Sequence, residues 1–239
     1  MDIRKITIIL STSLIVFCLA FGIMTRLSYG KLSLIENEST LNIKGSIIRN
    51  PILTDGDGLY NIKKYGSINE TAEELYEMIE RESSLIVTAK KTGLSEIQQS
   101  CILTKLDVKK VHKGNKSLAE KSILVYEPVV FLNYGKPGAC YFTDKGYTNI
   151  YDNIEYILML DNIGYSKAKI LNEDQKNSYK ISSMSAFGKY TINHTFQTDI
   201  PINNEYKYRD LKDFEIAGGI NDDLKIYNYI KKKVLEKYD

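Results

Sequence analysis

The stretch that indicates the fold is CILTKLDVKKVHKG, Cys101 to Gly114. Its side chains alternate, and one face of the extended chain carries Ile102, Thr104, Leu106 and Val108. Alternation would next place Lys110 and His112 on that face, but the next apolar residue, Val111, lies one step out of phase. An extra residue near Lys109–Lys110 restores the pattern, which is typical of a β-bulge. Because a bulge bends its strand, the stretch predicts a strand that curves around a barrel.

Shorter strand-like runs lie on both sides of this stretch. They are SLIVTAKK (84–91), KSILVYEP (121–128), EYILMLD (155–161) and KYTIN (189–193). The first alternates along the chain, and the run at 155–161 is almost wholly apolar, which is typical of a strand buried on both faces. Short strands separated by turns, with one helix before them, predict a small barrel or sandwich.

Two amphipathic helices flank the predicted strands. Ser67 and Glu70 form a capping box before a stripe at Ile68, Ala72, Leu75 and Ile79. A second stripe near the C-terminus contains Ile220, Leu224, Tyr227, Ile230 and Val234. Lysines cluster at the end of this second helix, where they suit the helix dipole without requiring a partner. Anionic lipid or a wall polymer is the alternative partner for these lysines.

The N-terminal segment predicts a membrane anchor. Ile6–Met24 is apolar and carries no charge, and about 20 such residues span a lipid core as a helix. Arg4 and Lys5 precede it, so we expect the N-terminus to stay in the cytoplasm and the rest of the chain to lie outside. A cleaved secretion signal is the alternative, with Ser28 and Gly30 as small residues before a cut.

The strand order from Ser83 to Ile192 resembles small extracytoplasmic domains of membrane-anchored, low-GC Gram-positive bacterial proteins with an OB-like barrel. The resemblance is one of strand pattern and includes no catalytic motif, so it transfers no functional residues. It implies an α+β chain with an N-terminal transmembrane helix. A small OB-like antiparallel β-barrel follows, flanked by an N-terminal and a C-terminal helix. We expect an anchor at 1–30, a stalk or irregular lead-in at 31–66, the barrel with its leading helix at 67–200, and a helical segment at 201–239.

The predicted ligand-binding surface is the segment FLNYGKPGACYFTDKGYTNIYDN, Phe131 to Asn153, interpreted as one long loop. Its candidate binding residues are Tyr134, Tyr141, Phe142, Tyr147 and Tyr151. Aromatic rings near Asn and Asp stack on sugars or bases. The alternative is that these rings only close the open end of the barrel.

Catalytic motifs are weak. Ser166-x-x-Lys169 and the KTG at 91–93 resemble penicillin-binding signatures, but their order along the chain is reversed. We therefore expect a non-catalytic binding module for a wall glycan, a peptide or another membrane protein. A serine hydrolase using Ser166 and Lys169 and a single-stranded nucleic-acid binder are the alternative hypotheses.

The charge balance and the histidine and cysteine spacing give no support for a metal site, a cofactor or a nucleic-acid partner. The formal net charge is +2, from 32 basic and 30 acidic residues, so there is no global argument for a polyanionic partner. The two histidines, His112 and His194, are far apart in sequence, and no C-x-x-C occurs. Cys101 and Cys140 are either separate thiols or a disulfide.

Overall fold

The computed structural model describes residues 3–28, 46–49, 68–97, 101–132, 140–144, 146–164, 173–182, 185–196, 211, 213–216 and 221–239. The chain divides into two compact units, residues 1–32 and 33–239. The first unit contains helix α1 (Ile3–Ser28). Among the side chains described on it, the large apolar ones from Leu10 to Met24 are 59–69% exposed. Counting only residues that the structure describes, no helix is long and apolar enough to cross a membrane.

The second unit is α+β. Its helices are α2 (Ile68–Glu82), α3 (Glu173–Lys176) and α4 (Asn221–Tyr238). Its strands are β1 (Ser46–Arg49), β2 (Leu85–Ile97), β3 (Ile102–Lys113), β4 (Ser122–Glu127), β5 (Val129–Leu132), β6 (Cys140–Asp144), β7 (Glu155–Asn162), β8 (Ser178–Ile181) and β9 (Lys189–Ile192). Short 3₁₀ turns follow β3, at Lys116–Leu118, and precede β9, at Ser185–Gly188.

Five strands close into a barrel in the order β2-β3-β4-β8-β7, because β7 also pairs with β2. The predicted barrel and its flanking helices are therefore confirmed. The barrel is not wholly antiparallel, as the predicted description had it, since β4 and β8 run parallel. Some fifty residues separate β4 from β8, and a long connection of this kind lets a chain return in the same direction.

The predicted bulge lies where the sequence placed it. Thr88 of β2 pairs with Lys110 and Ala89 pairs with Val108, so Lys109 has no counterpart on β2. Lys109 and Lys110 are consecutively exposed, and Val111 returns to the barrel interior. The bulge thus keeps the apolar residues on the inner face while β3 bends.

Strand β7 separates two hydrophobic cores. Tyr156, Leu158 and Leu160 face the barrel interior, whereas Ile157 and Met159 face helices α2 and α4. Each of these five side chains is fully buried. The second core also contains Leu75 and Ile79 of α2 and Ile230 and Val234 of α4, which confirms the described part of both helical stripes. The side chain of Ile68 and the whole of Ile220 lie outside the described residues.

The segment predicted as one long loop contains the end of β5 and the whole of β6. β5 and β6 pair with each other, and β1 pairs in parallel with the other edge of β6. Strand β1 lies within residues 31–66, which the sequence predicted to be irregular. Both predictions missed these strands because each strand has only four or five residues and carries little periodicity of its own.

Gly114 gives a test of the turn after β3. Its φ is +97°, and an added Cβ would lie 2.7 Å from the carbonyl oxygen of Ser84. We expect Gly114→Ala to lower the free energy of unfolding by about 1–3 kcal/mol, since the change adds both backbone strain and a clash with backbone. Gly164→Ala is the matched control, because its Cβ would meet no atom within 4 Å. Equal urea midpoints for the two variants would contradict this account.

Candidate functional site

The structure describes the side chains of two of the five residues predicted to bind a ligand, Tyr147 and Tyr151. Tyr134 lies outside the described residues, as do the side chains of Tyr141 and Phe142, whose backbones belong to β6. Tyr147 is fully buried, so its ring is not available to stack on a ligand at the surface. Tyr151 is partly buried, and its hydroxyl donates to the carbonyl of Leu211 over 3.0 Å.

Tyr147 instead belongs to a cluster around Glu127, at the end of β4. The Glu127 carboxylate accepts from the Thr104 hydroxyl, from the Tyr147 hydroxyl at 2.9 Å and from the Ile150 backbone N–H at 2.7 Å. Ser95 shares a hydrogen bond of 2.9 Å with Thr104. Glu127 is only 1% exposed, and it joins β2, β3 and β4 to the segment 147–150.

Lys189 is the buried cation beside this cluster. It is 1% exposed, and its ammonium donates to the Thr148 carbonyl at 2.7 Å, the Thr148 hydroxyl at 2.9 Å and the Asn149 carbonyl at 3.0 Å. The ammonium also lies 4.8 Å from the ring centroid of Tyr147 and 5.5 Å from that of Tyr156. These contacts are cation–π interactions between buried groups.

Glu215 continues the buried network towards α4. Its carboxylate accepts from the Thr191 backbone N–H at 2.7 Å, from the Thr191 hydroxyl at 2.8 Å and from Lys231 at 2.5 Å. The backbone carbonyl of Lys189 accepts from the Tyr227 hydroxyl at 2.9 Å. On the edge of β9 that faces away from β7, the Thr191 N–H and the Lys189 carbonyl are therefore both hydrogen-bonded to side chains from later in the chain.

Burial governs the ionisation of these groups. It raises the pKa of Glu127, although the donors from Thr104 and Ile150 and the charges of Lys189 and Lys91 oppose the rise. It lowers the pKa of Lys189 to about 8, against the attraction of Glu127 and Glu215. Perturbed groups of this kind occur both in active sites and in structural networks. Here the acceptors and donors are internal side-chain and backbone groups, so the geometry is that of a structural hydrogen-bond network. We call the hydrogen bonds of Glu127 within it the buried tie.

Of the residues that resembled a penicillin-binding signature, those at 91–93 have structural roles within the barrel. Lys91 is 5% exposed and forms an ion pair of 3.1 Å with Asp152. The Thr92 hydroxyl donates to Asp107 over 2.7 Å. A Cβ on Gly93 would lie 2.9 Å from the Cβ of Lys105, so glycine lets β3 approach. Ser166 and Lys169 lie outside the described residues.

The histidines and cysteines of the chain can be located in the same way. Within the described ranges, no three His, Cys, Asp or Glu side chains are grouped so as to hold a metal ion. His112 shares a hydrogen bond of 2.8 Å with Thr88 and contacts the Tyr238 ring, with centroids 5.0 Å apart. The Cys101 thiol is half-buried, and the side chain of Cys140 lies outside the described residues. Separate thiols and a disulfide therefore both stay as the alternatives for these cysteines.

Sequence reasoning missed both Glu127 and Lys189, although each left a signal. In β4 the inward positions are Ile123, Val125 and Glu127, so a carboxylate stands in phase with apolar residues. Lys189 begins a strand in which all four residues are buried. A charge at a core position indicates an internal partner, but the sequence does not say which one.

No protein-family model matches the chain, and no curated protein sequence matches it.

Removing the Glu127 carboxylate tests the buried tie. Glu127→Ala leaves the donors of Thr104, Tyr147 and Ile150 without their acceptor and opens a cavity. We expect a loss of about 3 kcal/mol or more in the free energy of unfolding, measured by urea denaturation. Glu127→Gln is the matched control: it keeps the shape and an acceptor oxygen, so its loss should be clearly smaller. A loss below about 1 kcal/mol for the alanine variant would contradict the assignment.

Lys189 predicts a particular pH dependence of stability. Its folded pKa of about 8 lies below the ordinary lysine value of 10.5, so between these values the unfolded chain binds more protons than the folded one. Stability from this group therefore rises as pH increases above 8. We expect Lys189→Met to remove a rise of roughly 1 kcal/mol between pH ~8 and pH ~9.5. Urea midpoints at both pH values check this, and Lys232→Met, at an exposed position, should leave the rise unchanged.

Proposed function

We propose that the chain is a membrane-anchored extracytoplasmic binding module, in which α1 is the anchor and an OB-like barrel carries the ligand-binding surface. The observation that carries the proposal is the apolar surface of α1. Nine large apolar side chains between Leu10 and Met24 are each at least 59% exposed. An apolar surface of this kind requires a cover, and lipid provides one.

The sequence of α1 and the charges before it support this role. Ile6–Met24 contains no charged residue, and Arg4 and Lys5 stand at its N-terminal end. Basic residues favour the cytoplasmic side, which supports an extracytoplasmic position for the second unit.

The strand order supports the name OB-like. Such a barrel has five strands in a Greek-key arrangement. Here β2 closes the barrel on β7, and β4 lies beside β8. Because one fold hosts many functions, the barrel alone does not select a ligand.

The buried charges favour binding over catalysis. Glu127, Lys189 and Glu215 are each about 1% exposed, and each is held by internal hydrogen bonds. A catalytic group has to meet its substrate, and these groups meet only the protein. The ligand classes that we propose remain a wall glycan, a peptide or a membrane-protein partner.

Membrane attachment is tested by placing charges in α1. We expect Leu14→Lys with Phe17→Lys to move the protein from the membrane pellet to the soluble fraction, because each lysine costs about 3 kcal/mol at the centre of a membrane helix. Leu14→Ile with Phe17→Leu is the matched control and should stay in the pellet.

Protease added to intact protoplasts tests the orientation in the same strain. It should digest residues 31–239 of the wild-type protein while a cytoplasmic marker stays whole. Full protection would contradict the extracytoplasmic position. Release of a shortened chain into the medium would show instead that α1 is removed as a signal.

A further inference from the structure

Lys189 is enclosed by tyrosine rings as well as by hydrogen-bond acceptors. Its Nζ lies 4.8 Å from the ring centroid of Tyr147, 5.5 Å from that of Tyr156 and 6.0 Å from that of Tyr151. A cation within about 6 Å of a ring centroid is attracted by the face of the ring, and several such rings form the aromatic cages that bind ammonium ligands. We call this enclosure the ammonium cage; its residues are Tyr147, Thr148, Asn149, Tyr151 and Tyr156.

The three rings of the ammonium cage are held in place by their own hydroxyl groups. The Tyr147 hydroxyl donates to Glu127 at 2.9 Å, and the Tyr151 hydroxyl donates to the Leu211 carbonyl at 3.0 Å. The Tyr156 hydroxyl accepts from the Tyr151 backbone N–H at 3.1 Å. None of these bonds involves the lysine, so the rings have positions that do not depend on it. A site that is already ordered binds a ligand more tightly, because less freedom is lost on binding.

The oxygen atoms of the ammonium cage match the N–H groups of a primary ammonium. They are the Thr148 carbonyl, the Thr148 hydroxyl and the Asn149 carbonyl, at 2.7, 2.9 and 3.0 Å from Lys189 Nζ. The Thr148 hydroxyl donates its own proton to the Glu215 carbonyl at 2.6 Å, so it can only accept from the ammonium. The cage therefore suits a primary ammonium, which has three donors, and does not suit a quaternary ammonium, which has none.

The balance of buried charge also favours a cation in the ammonium cage. Among the residues that the structure describes, the buried charged side chains are Lys91, Glu127, Lys189 and Glu215. Lys91 is paired with Asp152 at 3.1 Å, and Glu215 is paired with Lys231 at 2.5 Å. Glu127 is therefore the buried carboxylate that balances a charge in the cage. The charges of Glu127 and Glu215 attract the ammonium, and that of Lys231 repels it.

We propose that the ammonium cage is a binding site for primary ammonium groups, which the chain fills with its own Lys189. The cage recognises the ammonium itself, and the methylene groups of the lysine only deliver it. A free alkylammonium ion of matching length therefore takes the same position once the lysine side chain is removed. The inference goes beyond the proposed binding module and is independent of it, because it concerns the interior of the second unit.

Chemical rescue tests the inference in the full chain, held in detergent micelles at pH ~7. This pH is below the Lys189 pKa of about 8, so the nitrogen in the cage is charged. Lys189→Gly removes the whole side chain, and n-butylammonium replaces its carbons and its nitrogen. We expect n-butylammonium to raise the melting temperature of Lys189→Gly by at least about 3 °C, saturably, because a ligand that binds only the folded chain stabilises it. Circular dichroism measures the change.

Two proteins with an occupied cage are the controls. Wild-type protein and Lys232→Gly, a change at an exposed position, should each shift by less than about 1 °C with n-butylammonium. Lys189→Ala keeps the Cβ atom, so the shorter n-propylammonium should stabilise it more than n-butylammonium does. This exchange of preferred length would show that the ligand lies where the lysine side chain lay.

Two further ligands separate donors and charge from shape. n-Butanol has the same carbon chain but a single donor and no charge, and tetramethylammonium has the charge without a donor. Neither should stabilise Lys189→Gly by more than a third of the shift given by n-butylammonium. Equal stabilisation by either ligand, or an equal shift in wild-type protein, would overturn the inference. It would also be overturned if neither variant at residue 189 is folded or stabilised by its matched amine.

Discussion

The constraint on which the second unit depends is the burial of the Glu127 carboxylate. A carboxylate without water is costly unless donors surround it, and here the donors come from β3 and from the chain between β6 and β7. One side chain therefore fixes where a long connection lies against the barrel. Lys189 holds the same connection through the carbonyls of residues 148 and 149. Apolar packing alone would leave this segment free to slide, whereas directional hydrogen bonds from both residues define one position.

Periodicity predicted the parts of the fold that depend on local sequence. The out-of-phase Val111 located the bulge, and the almost wholly apolar run of β7 indicated burial on both faces. The parallel pairing of β4 with β8 could not be predicted, because nothing in either strand encodes the direction of a partner some fifty residues away. The partners of Glu127 and Lys189 were missed for the same reason. Their donors and acceptors come from segments brought together only when the barrel closes.

The lysines show why composition is a poor guide to local charge. The lysines of α4 are clustered in sequence but matched in space by Glu73, Glu80, Glu215 and Glu236. On the barrel, strand pairing places Lys180 beside Asp161 and Lys90 beside Asp107 and Glu155. The local field therefore depends on which strands and helices are neighbours, which a net charge of +2 does not reveal.

The covered edge of β9 also has a consequence for how the chain is made. β9 pairs with β7 on one side, and on the other its Thr191 N–H and Lys189 carbonyl are occupied by Glu215 and Tyr227. Both of these residues follow β9 in the chain. During translation, β9 is therefore synthesised before the two side chains that cover its edge. During that interval the nascent sheet has an open edge that can recruit other extended chains. Residues 213–216 and α4 thus protect this edge from pairing with other chains, but only once they have been synthesised. Chains that end between β9 and α4 would keep the open edge and would be the most prone to aggregate.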